Sequence, residues 1–223
     1  LVMPIGTGHN KKLAIFGAGS HAREVLELIN DINAAGGRWQ VAGFLVDTRF
    51  IVETTVANFP VFDADKWLSE NPDCSLIIAV GASIPRQNIV SRLLAHGNDV
   101  HFPTLVHPLS HVARSASIAE GAVVFSGCQI SVGTRIGAHV SINLASTLSH
   151  DVTIGDYCSL GPGVHLPGRV TLGDGVELGT GTCAIPGIQV GDWAVVGAGS
   201  VITRNIASGA RAKGVPARIR NQA

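Results

Sequence analysis

An aliphatic residue recurs every six positions through the second half of this chain, and this repeat constrains the fold more than any other feature. Sixteen of seventeen such positions hold Val, Ile or Leu, and no insertion breaks the register. A period of six predicts a short strand and a turn, and three such sides close a triangular coil of about 18 residues. Neighbouring coils then pair like parallel strands. The positions are Val106, Val112, Ile118, Val124, Ile130, Ile136, Ile142, Leu148, Ile154, Leu160, Leu166, Leu172, Leu178, Ala184, Val190, Val196 and Ile202.

Glycine often follows the aliphatic residue, as at Gly137, Gly155 and Gly173. We expect these glycines to supply the positive φ that a tight corner needs. A small or β-branched residue stands four positions after the aliphatic one. Cys128 and Cys158 occupy that position and are predicted to be packed thiols.

The first hundred residues have a different period and predict a small α/β domain. The stretch "KKLAIFGAGS" is typical of a buried strand followed by a glycine turn. Residues 21–37 have the pattern of an amphipathic helix, and residues 39–47 have the pattern of a second strand. Residues 61–71 predict a short helix, 75–83 a buried strand and 85–97 a helix. We therefore predict a Rossmann-like domain at 13–105 and a β-helix at 106–206. A disordered lead-in at 1–12 and a C-terminal tail at 207–223 flank them.

Composition excludes several classes of protein. Lys plus Arg equals Asp plus Glu, 16 of each, which argues against nucleic acid or an anionic membrane as a partner held by bulk charge. The four cysteines form no CxxC pair, so no metal site is predicted and reduced thiols are expected. No apolar run reaches the roughly 18 residues of a membrane helix, and no signal-peptide pattern opens the chain. The sequence predicts a cytoplasmic protein.

A glycine turn is the first candidate site. Gly17, Gly19, Ser20 and His21 follow a strand and open a helix, which is the context of a phosphate-binding turn. Asp47 ends the second predicted strand, where a ribose or base would be bound. The domain is small, which favours a mononucleotide or nucleotide-sugar ligand, and a turn that merely connects strand to helix stays open as the alternative. The "VGASIPR" segment, with Gly81 and Arg86, is predicted to complete the pocket.

His150 and Asp151 form the second candidate site, as a general base and the carboxylate that orients it. A step of 18 residues places Gly168 above His150, where its amide is a candidate oxyanion donor. The same step places Arg169 above Asp151, where it would compete for the carboxylate. The alternative is an ordinary exposed β-helix histidine, which is what we expect of His139 and His165. Zinc is disfavoured, because these three histidines are not one coil apart.

The turn "GAGSHA", the uninterrupted repeats, the His-Asp pair and the ending "GVPAR" together resemble one family over nearly the whole chain. This family comprises bacterial sugar acetyltransferases that act on UDP-amino sugars of the bacillosamine pathway, on perosamine or on sialic acid. The resemblance implies a left-handed β-helix of hexapeptide repeats, acetyl-CoA as co-substrate and no metal. It also implies a homotrimer with active sites at subunit interfaces.

The resemblance further implies N-acetylation of a nucleotide-linked amino sugar, as in polysaccharide biosynthesis, with O-acetylation of a sugar or sialic-acid hydroxyl as the alternative. His150 matches the catalytic histidine and Asp151 its acidic partner. Asn143 and His21 match residues near the acceptor, and Gly168 a glycine beside the thioester. Ser159, Gly179 and Gly197 are expected to contact acetyl-CoA. Two departures concern Val46, which replaces the first of two acids, and Ser159, which replaces a second histidine.

Other classes fit less well. Serine O-acetyltransferases carry a helical N-terminal domain instead of an α/β one. A non-catalytic scaffold, in which the α/β half senses a nucleotide, remains an alternative interpretation. Such a protein would keep its function without His150.

Overall fold

The computed structural model describes residues 11–95 and 100–219. An α/β unit comes first, and its sheet has the strand order β3-β4-β2-β1-β5. All neighbouring strands are parallel except β3 and β4. Its elements are β1 (Lys11–Phe16), α1 (Ser20–Ala34), β2 (Trp39–Val46), a 3₁₀ turn (Thr48–Phe50), β3 (Thr55–Val56), β4 (Phe59–Asp63), α2 (Ala64–Glu70), β5 (Ser75–Ile78) and α3 (Ser83–Ala95).

The central position of β1 creates a crevice at its carboxyl end. β1 pairs with β2 on one side and with β5 on the other, so the loops that follow β1 and β5 diverge. Apolar residues of α1, among them Val25 and Ile29, are fully buried against this sheet. The helix ends where Gly36, with φ 102°, turns the chain into β2.

Several predicted boundaries differ in the α/β unit. Residues 61–63 of the predicted helix 61–71 belong to β4, because this segment pairs with β2, and α2 begins only at Ala64. The predicted strand 75–83 ends at Ile78. Its N-cap is Asp63, whose side chain accepts the Lys66 N–H at 2.9 Å. Helix α3 begins at Ser83, two residues before the prediction. Residues 1–10 of the predicted lead-in lie outside the described residues, whereas Lys11 and Lys12 already belong to β1.

The second half is a left-handed parallel β-helix, as the sequence predicts. Seventeen two-residue strands between Leu105 and Ile202 form its three sides. Side 1 contains β6 (Leu105–Val106), β9 (Val123–Val124), β12 (Ser141–Ile142), β15 (Ser159–Leu160), β18 (Glu177–Leu178) and β21 (Val195–Val196). Side 2 contains β7 (His111–Val112), β10 (Gln129–Ile130), β13 (Thr147–Leu148), β16 (His165–Leu166), β19 (Cys183–Ala184) and β22 (Val201–Ile202). Side 3 contains β8 (Ser117–Ile118), β11 (Arg135–Ile136), β14 (Thr153–Ile154), β17 (Thr171–Leu172) and β20 (Gln189–Val190).

The interior follows the repeat. The aliphatic positions from Val124 to Leu178 are buried and form one cluster, in which Cys128 and Cys158 lie as packed thiols. Burial raises the pKa of the Cys158 thiol to about 12. Within residues 207–219 of the predicted tail, β23 (Arg211–Lys213) extends side 1 beyond β21, and β24 (Arg218–Ile219) pairs with it antiparallel.

The glycines that follow the aliphatic residues do not have positive φ, contrary to the prediction. They are required because the next coil approaches closely. A Cβ on Gly155 would lie 2.5 Å from the carboxylate of Asp174, and Gly137 and Gly173 meet Asp156 and Asp192 in the same way. Each of these carboxylates accepts a backbone N–H from the coil below, such as Asp156 N–H to Asp174 at 2.8 Å.

Positive φ occurs instead in columns of corner residues, most clearly where side 3 turns into side 1. That column contains both glycine and aromatic residues and consists of Gly121, His139, Tyr157, Gly175 and Trp193. The His139 and Tyr157 rings stack with centroids 5.4 Å apart, and side chains at Gly121 or Gly175 would overlap the ring of the next coil. His139 is only 3 % exposed, so the prediction of an ordinary surface histidine is wrong at this position.

No helix within residues 11–95 and 100–219 combines the length and apolar character that crossing a membrane requires.

Candidate active site

His150 and Asp151 lie at the corner where side 2 turns into side 3. Asp151 has φ 59°, a left-handed conformation that Asp tolerates better than most residues. This conformation brings two adjacent side chains together, and His150 Nδ1 lies 2.9 Å from Asp151 Oδ2. A carboxylate at this distance favours the tautomer with the proton on Nδ1, which leaves Nε2 as an acceptor. His150 is about half exposed, at 47 %. Among the described residues, Arg169 forms no ion pair with Asp151.

Two glycines make room for this pair. The imidazole of His150 rests against Gly168 on the coil above, where a Cβ would overlap the ring. Asp151 lies against the coil below, where a Cβ on Gly133 would be 2.5 Å from Asp151 Oδ1. The Gly168 carbonyl accepts the Gly187 N–H at 3.0 Å, whereas the Gly168 N–H has no acceptor among the described residues. Gly168 thus offers a free donor next to the histidine.

A groove between α1 and the β-helix is lined by one predicted residue, Asn143, and lies beside a second, His21. The groove has a volume of about 190 Å³ and is lined by Asn143 and Phe125 from the β-helix and by Glu24 and Glu27 from α1. His21 packs at 5.5 Å on the Phe125 ring, and its Nδ1 lies 3.0 Å from Glu24 Oε2. The structure therefore brings His21 and Asn143 together but does not place them beside His150 of the same chain.

The glycine turn opens α1 as predicted. Gly19 is the N-cap and makes no side-chain cap hydrogen bond, so the first helical N–H groups point toward the crevice without a side-chain acceptor. Gly19 has open space around its Cα. Gly17 is required for another reason, because its φ is 115° and a Cβ would lie 2.8 Å from the Ala79 carbonyl. Ser20 accepts a hydrogen bond from Arg23 at 3.1 Å.

Asp47 and Gly81 flank the same crevice. Asp47 follows β2, and its Oδ1 lies 2.5 Å from Arg92 Nη2, with Arg49 at 4.0 Å from the other oxygen. This carboxylate is therefore already paired, which the sequence does not reveal. Gly81 follows β5 and has open space around its Cα.

A larger groove, of about 500 Å³, lies on side 3. None of the predicted site residues lines it.

Residues 12–93 match the family model described as the PglD N-terminal domain. The chain is 31 % identical over 151 residues to GDP-perosamine N-acetyltransferase of Escherichia coli O157:H7, an alignment that spans 67 % of this chain and 66 % of that protein. It matches a crystal structure of perosamine N-acetyltransferase from Caulobacter crescentus, a histidine-to-asparagine mutant with CoA and GDP-perosamine. The identity is 30 %, the TM-score 0.84 and the coverage 99 % of this chain and 100 % of that one.

This chain belongs to the family of sugar N-acetyltransferases that includes perosamine N-acetyltransferase. The acetyltransferase domain of PglB from Neisseria gonorrhoeae FA1090, solved with acetyl coenzyme A, is also similar, at 29 % identity and a TM-score of 0.85. That match covers 96 % of this chain and 100 % of that one. Over the described residues, no cluster of His, Cys, Asp and Glu has the composition of a metal site.

Two of the residues expected to bind ligands make contacts within the protein. Arg86 is 2 % exposed, and its guanidinium donates to backbone carbonyls, so the prediction that it contacts the substrate is wrong. The Ser159 hydroxyl donates to the Gly81 carbonyl at 2.7 Å and accepts from Arg86 at 2.8 Å, and its contact with acetyl-CoA stays a prediction.

Gly179 and Gly197, the remaining predicted acetyl-CoA residues, lie where side 1 turns into side 2. Their N–H groups donate to the carbonyls of Val196 at 2.8 Å and Ala212 at 2.9 Å. Their carbonyls also accept hydrogen bonds, the Gly179 carbonyl from the Thr182 hydroxyl at 2.7 Å and the Gly197 carbonyl from the Ser200 hydroxyl at 2.6 Å. They are not beside His150, which lies at the other edge of side 2.

The sequence analysis missed the residues that form the groove. Glu24, Glu27 and Asp31 lie at helical spacing on α1, and this spacing is the signal that could have grouped them. That they face Phe125 depends on how the helix packs against the β-helix, which no local pattern reveals.

Proposed function

We propose that this protein is an acetyl-CoA-dependent N-acetyltransferase for the amino group of a nucleotide-linked amino sugar, of the 4-amino-4,6-dideoxy class. The observation that carries the proposal is the His150–Asp151 pair beside Gly168. An exposed imidazole with a free Nε2, a carboxylate on Nδ1 and an adjacent free amide N–H has the parts that acyl transfer from a thioester requires.

In the proposed mechanism His150 Nε2 takes a proton from the acceptor amine as its nitrogen attacks the thioester carbonyl. Asp151 holds the imidazole in the productive tautomer and stabilises the imidazolium that forms. The Gly168 N–H donates to the developing oxyanion. The C–N bond forms and the C–S bond breaks, and the imidazolium returns the proton to the departing thiolate. No covalent acyl-enzyme is needed.

The α/β unit is proposed to hold the nucleotide. The open α1 N-terminus at Gly19, Ser20 and His21 offers backbone donors and a favourable dipole to a diphosphate. Asp47 and Gly81 lie at the two neighbouring strand ends. Because Asp47 is paired with Arg92, contact with a ribose or base would use the carboxylate oxygen that Arg92 leaves free.

The groove beside α1 favours an amine over a hydroxyl acceptor. Glu24, Glu27 and Asp31 concentrate negative charge there, and only Asp31 has a close partner from the β-helix, His107 at 2.9 Å. This negative surface attracts an ammonium group, whereas it has no comparable electrostatic attraction for a neutral hydroxyl. In the assembly proposed in the next paragraph, His150 of a neighbouring copy would then accept the proton.

A homotrimer would complete the site. Asn143 and His150 lie at opposite edges of side 2, about 20 Å apart for a six-residue side at 3.3 Å per residue. The exposed aliphatic residues Leu144, Val132 and Ile185 flank side 2 at these two edges. We propose that side 2 packs against further copies of this chain, so that His150 of one copy faces the Asn143 groove of the next. Acetyl-CoA would then lie between neighbouring β-helices, against Gly168 of one copy and Gly179 and Gly197 of another.

The test is release of the CoA thiol from acetyl-CoA across a panel of acceptors. The panel contains 4-amino sugars on GDP, UDP and dTDP, free sialic acid and serine. Wild type is compared with His150→Asn and with the matched control His101→Asn, an exposed histidine that lies outside side 2.

Turnover of one nucleotide amino sugar, lost in His150→Asn and retained in His101→Asn, is the expected result. Turnover confined to sialic acid or serine would change the assignment to O-acetylation. A protein that neither turns over any acceptor nor binds acetyl-CoA would overturn the proposal.

A further inference from the structure

Arg86 connects the α/β unit to the β-helix through a cage of oxygen atoms. It lies in the first turns of α3, and its guanidinium approaches no carboxylate within 4.0 Å among the described residues. All its partners are oxygen atoms of the backbone or of a hydroxyl. They are the carbonyls of Val80 (2.7 Å), Gly81 (2.9 Å), His139 (2.8 Å), Tyr157 (2.7 Å) and Cys158 (3.1 Å), and the Ser159 hydroxyl (2.8 Å).

Further contacts reinforce this connection. The Ser83 N–H, at the start of α3, donates to Glu177 Oε1 at 2.8 Å. The Ser83 and Ser159 hydroxyls are 3.2 Å apart, and the Ser159 hydroxyl donates to the Gly81 carbonyl at 2.7 Å. Two consecutive coils of side 1, through Ser159 and Glu177, therefore hold the segment that runs from β5 into α3.

The same segment forms one wall of the nucleotide crevice. Gly17 packs on the Ala79 carbonyl so closely that a Cβ would not fit, and the Ala79 N–H donates to the Phe16 carbonyl at 2.8 Å. The glycine turn and residues 79–82 thus face each other across the carboxyl end of β1. Arg86 binds the carbonyls of Val80 and Gly81 from behind.

We propose that Arg86 is a positioning residue that fixes the wall at residues 79–82 to the β-helix, and so sets where the nucleotide is held relative to the acetyl-transfer corner. This role deepens the proposed function and rests on it. A planar fork with five N–H donors can reach oxygen atoms on both domains at once, and Lys, with three donors on one atom, cannot. The Arg86→Lys change keeps the charge and removes this geometry.

The test compares wild type, Arg86→Lys and the matched control Arg135→Lys, an exposed arginine on side 3. Steady-state kinetics give separate KM values for the nucleotide amino sugar and for acetyl-CoA. Hydrogen exchange follows the amides of residues 79–83, and GDP and UDP binding is measured without acetyl-CoA. We expect Arg86→Lys to raise the KM for the nucleotide sugar about tenfold and to leave the KM for acetyl-CoA within about twofold. Exchange at 79–83 should accelerate while the β-helix amides keep their protection.

A lower melting temperature with an unchanged KM for the nucleotide sugar would overturn the proposal, because a merely structural arginine gives that result. If Arg86→Lys does not fold, Ser159→Ala decides the question. It removes one partner from the cage and should raise the same KM about two- to threefold, and an unchanged KM would again overturn the role.

Failure of the proposed function is distinguishable from failure of this inference. If wild type acetylates no nucleotide amino sugar, nucleotide binding and exchange at 79–83 still report whether Arg86 orders the wall. If wild type and Arg86→Lys bind GDP and UDP with the same affinities as each other and show the same exchange at residues 79–83, these results alone would overturn the inference.

Discussion

At the scale of single residues, the geometry around His150 depends on an absent side chain. Gly168 has ordinary φ, so Ala is compatible with its backbone, but the added methyl group would occupy the place of the imidazole. We expect Gly168→Ala to lower kcat about 10- to 100-fold through displacement of the base. Thermal denaturation should show a folded protein. A kcat within twofold of wild type would show that Gly168 does not position the ring.

His139 gives a second residue-scale prediction, for stability against pH. Its pKa is lowered to about 4, mainly by burial and also by the Arg86 cation, while Asp156 opposes the shift. Since the unfolded chain binds this proton with a pKa near 6.5, stability is fully retained above pH 6.5 and is lost as the pH falls towards 4. The loss should be about 2 kcal/mol at pH 5.

Urea unfolding at pH 7.5 and pH 5.0 measures this loss. His139→Asn suits the left-handed φ of 54° and removes the titrating group. The variant should be less stable than wild type at pH 7.5 and should lose less stability between the two pH values. Equal losses in both proteins would assign the acid sensitivity to other groups.

At the scale of the elements, the stacked aspartates at the corner after side 3 connect the coils. Asp174 accepts the Asp156 N–H at 2.8 Å, and Asp174→Ala leaves that donor without its partner. We expect a loss of about 1–2 kcal/mol of unfolding free energy. Asp174→Asn is the matched control because its amide oxygen still accepts, and it should lose less than half as much. Identical losses of unfolding free energy in the two variants would show that the charge of Asp174, rather than its hydrogen bond, stabilises the protein.

The elements also show how far sequence reasoning reaches. The repeat from Val106 to Ile202 predicts the β-helix because a narrow interior accepts one aliphatic side chain per side, a rule that is local in sequence. The His150–Asp151 pair is predictable for the same reason, as adjacent residues at a corner. Arg86 was misassigned because its partners on the β-helix are 53 to 73 residues away in sequence. Strand β4 was misassigned because its pairing with β2 overrides local helix propensity.

At the scale of the whole molecule, the proposal that the site is shared between copies predicts complementation. His150→Asn and Asn143→Ala should each be inactive alone. Mixed trimers contain interfaces in which an intact His150 meets an intact Asn143, and random mixing of equal amounts should restore about a quarter of the wild-type activity. The measurement is activity after co-refolding, with light scattering to confirm three chains per particle.

Each variant refolded alone provides the control for that experiment. An inactive mixture of folded trimers would mean that both residues act within one copy, and a monomeric protein would remove the basis for the shared site.

The constant coil length has a consequence for how such a chain can change in size. His150 meets Gly168 because the path between them is one full turn, so a single inserted residue would turn every later aliphatic side chain outward. Regular growth of the β-helix therefore requires whole coils. A duplication of residues 171–188 would add one complete coil above His150 and leave every stacked pair below it intact. The β-helix of this protein can lengthen by whole coils or by loops inserted at its corners, but not by a single residue within a side.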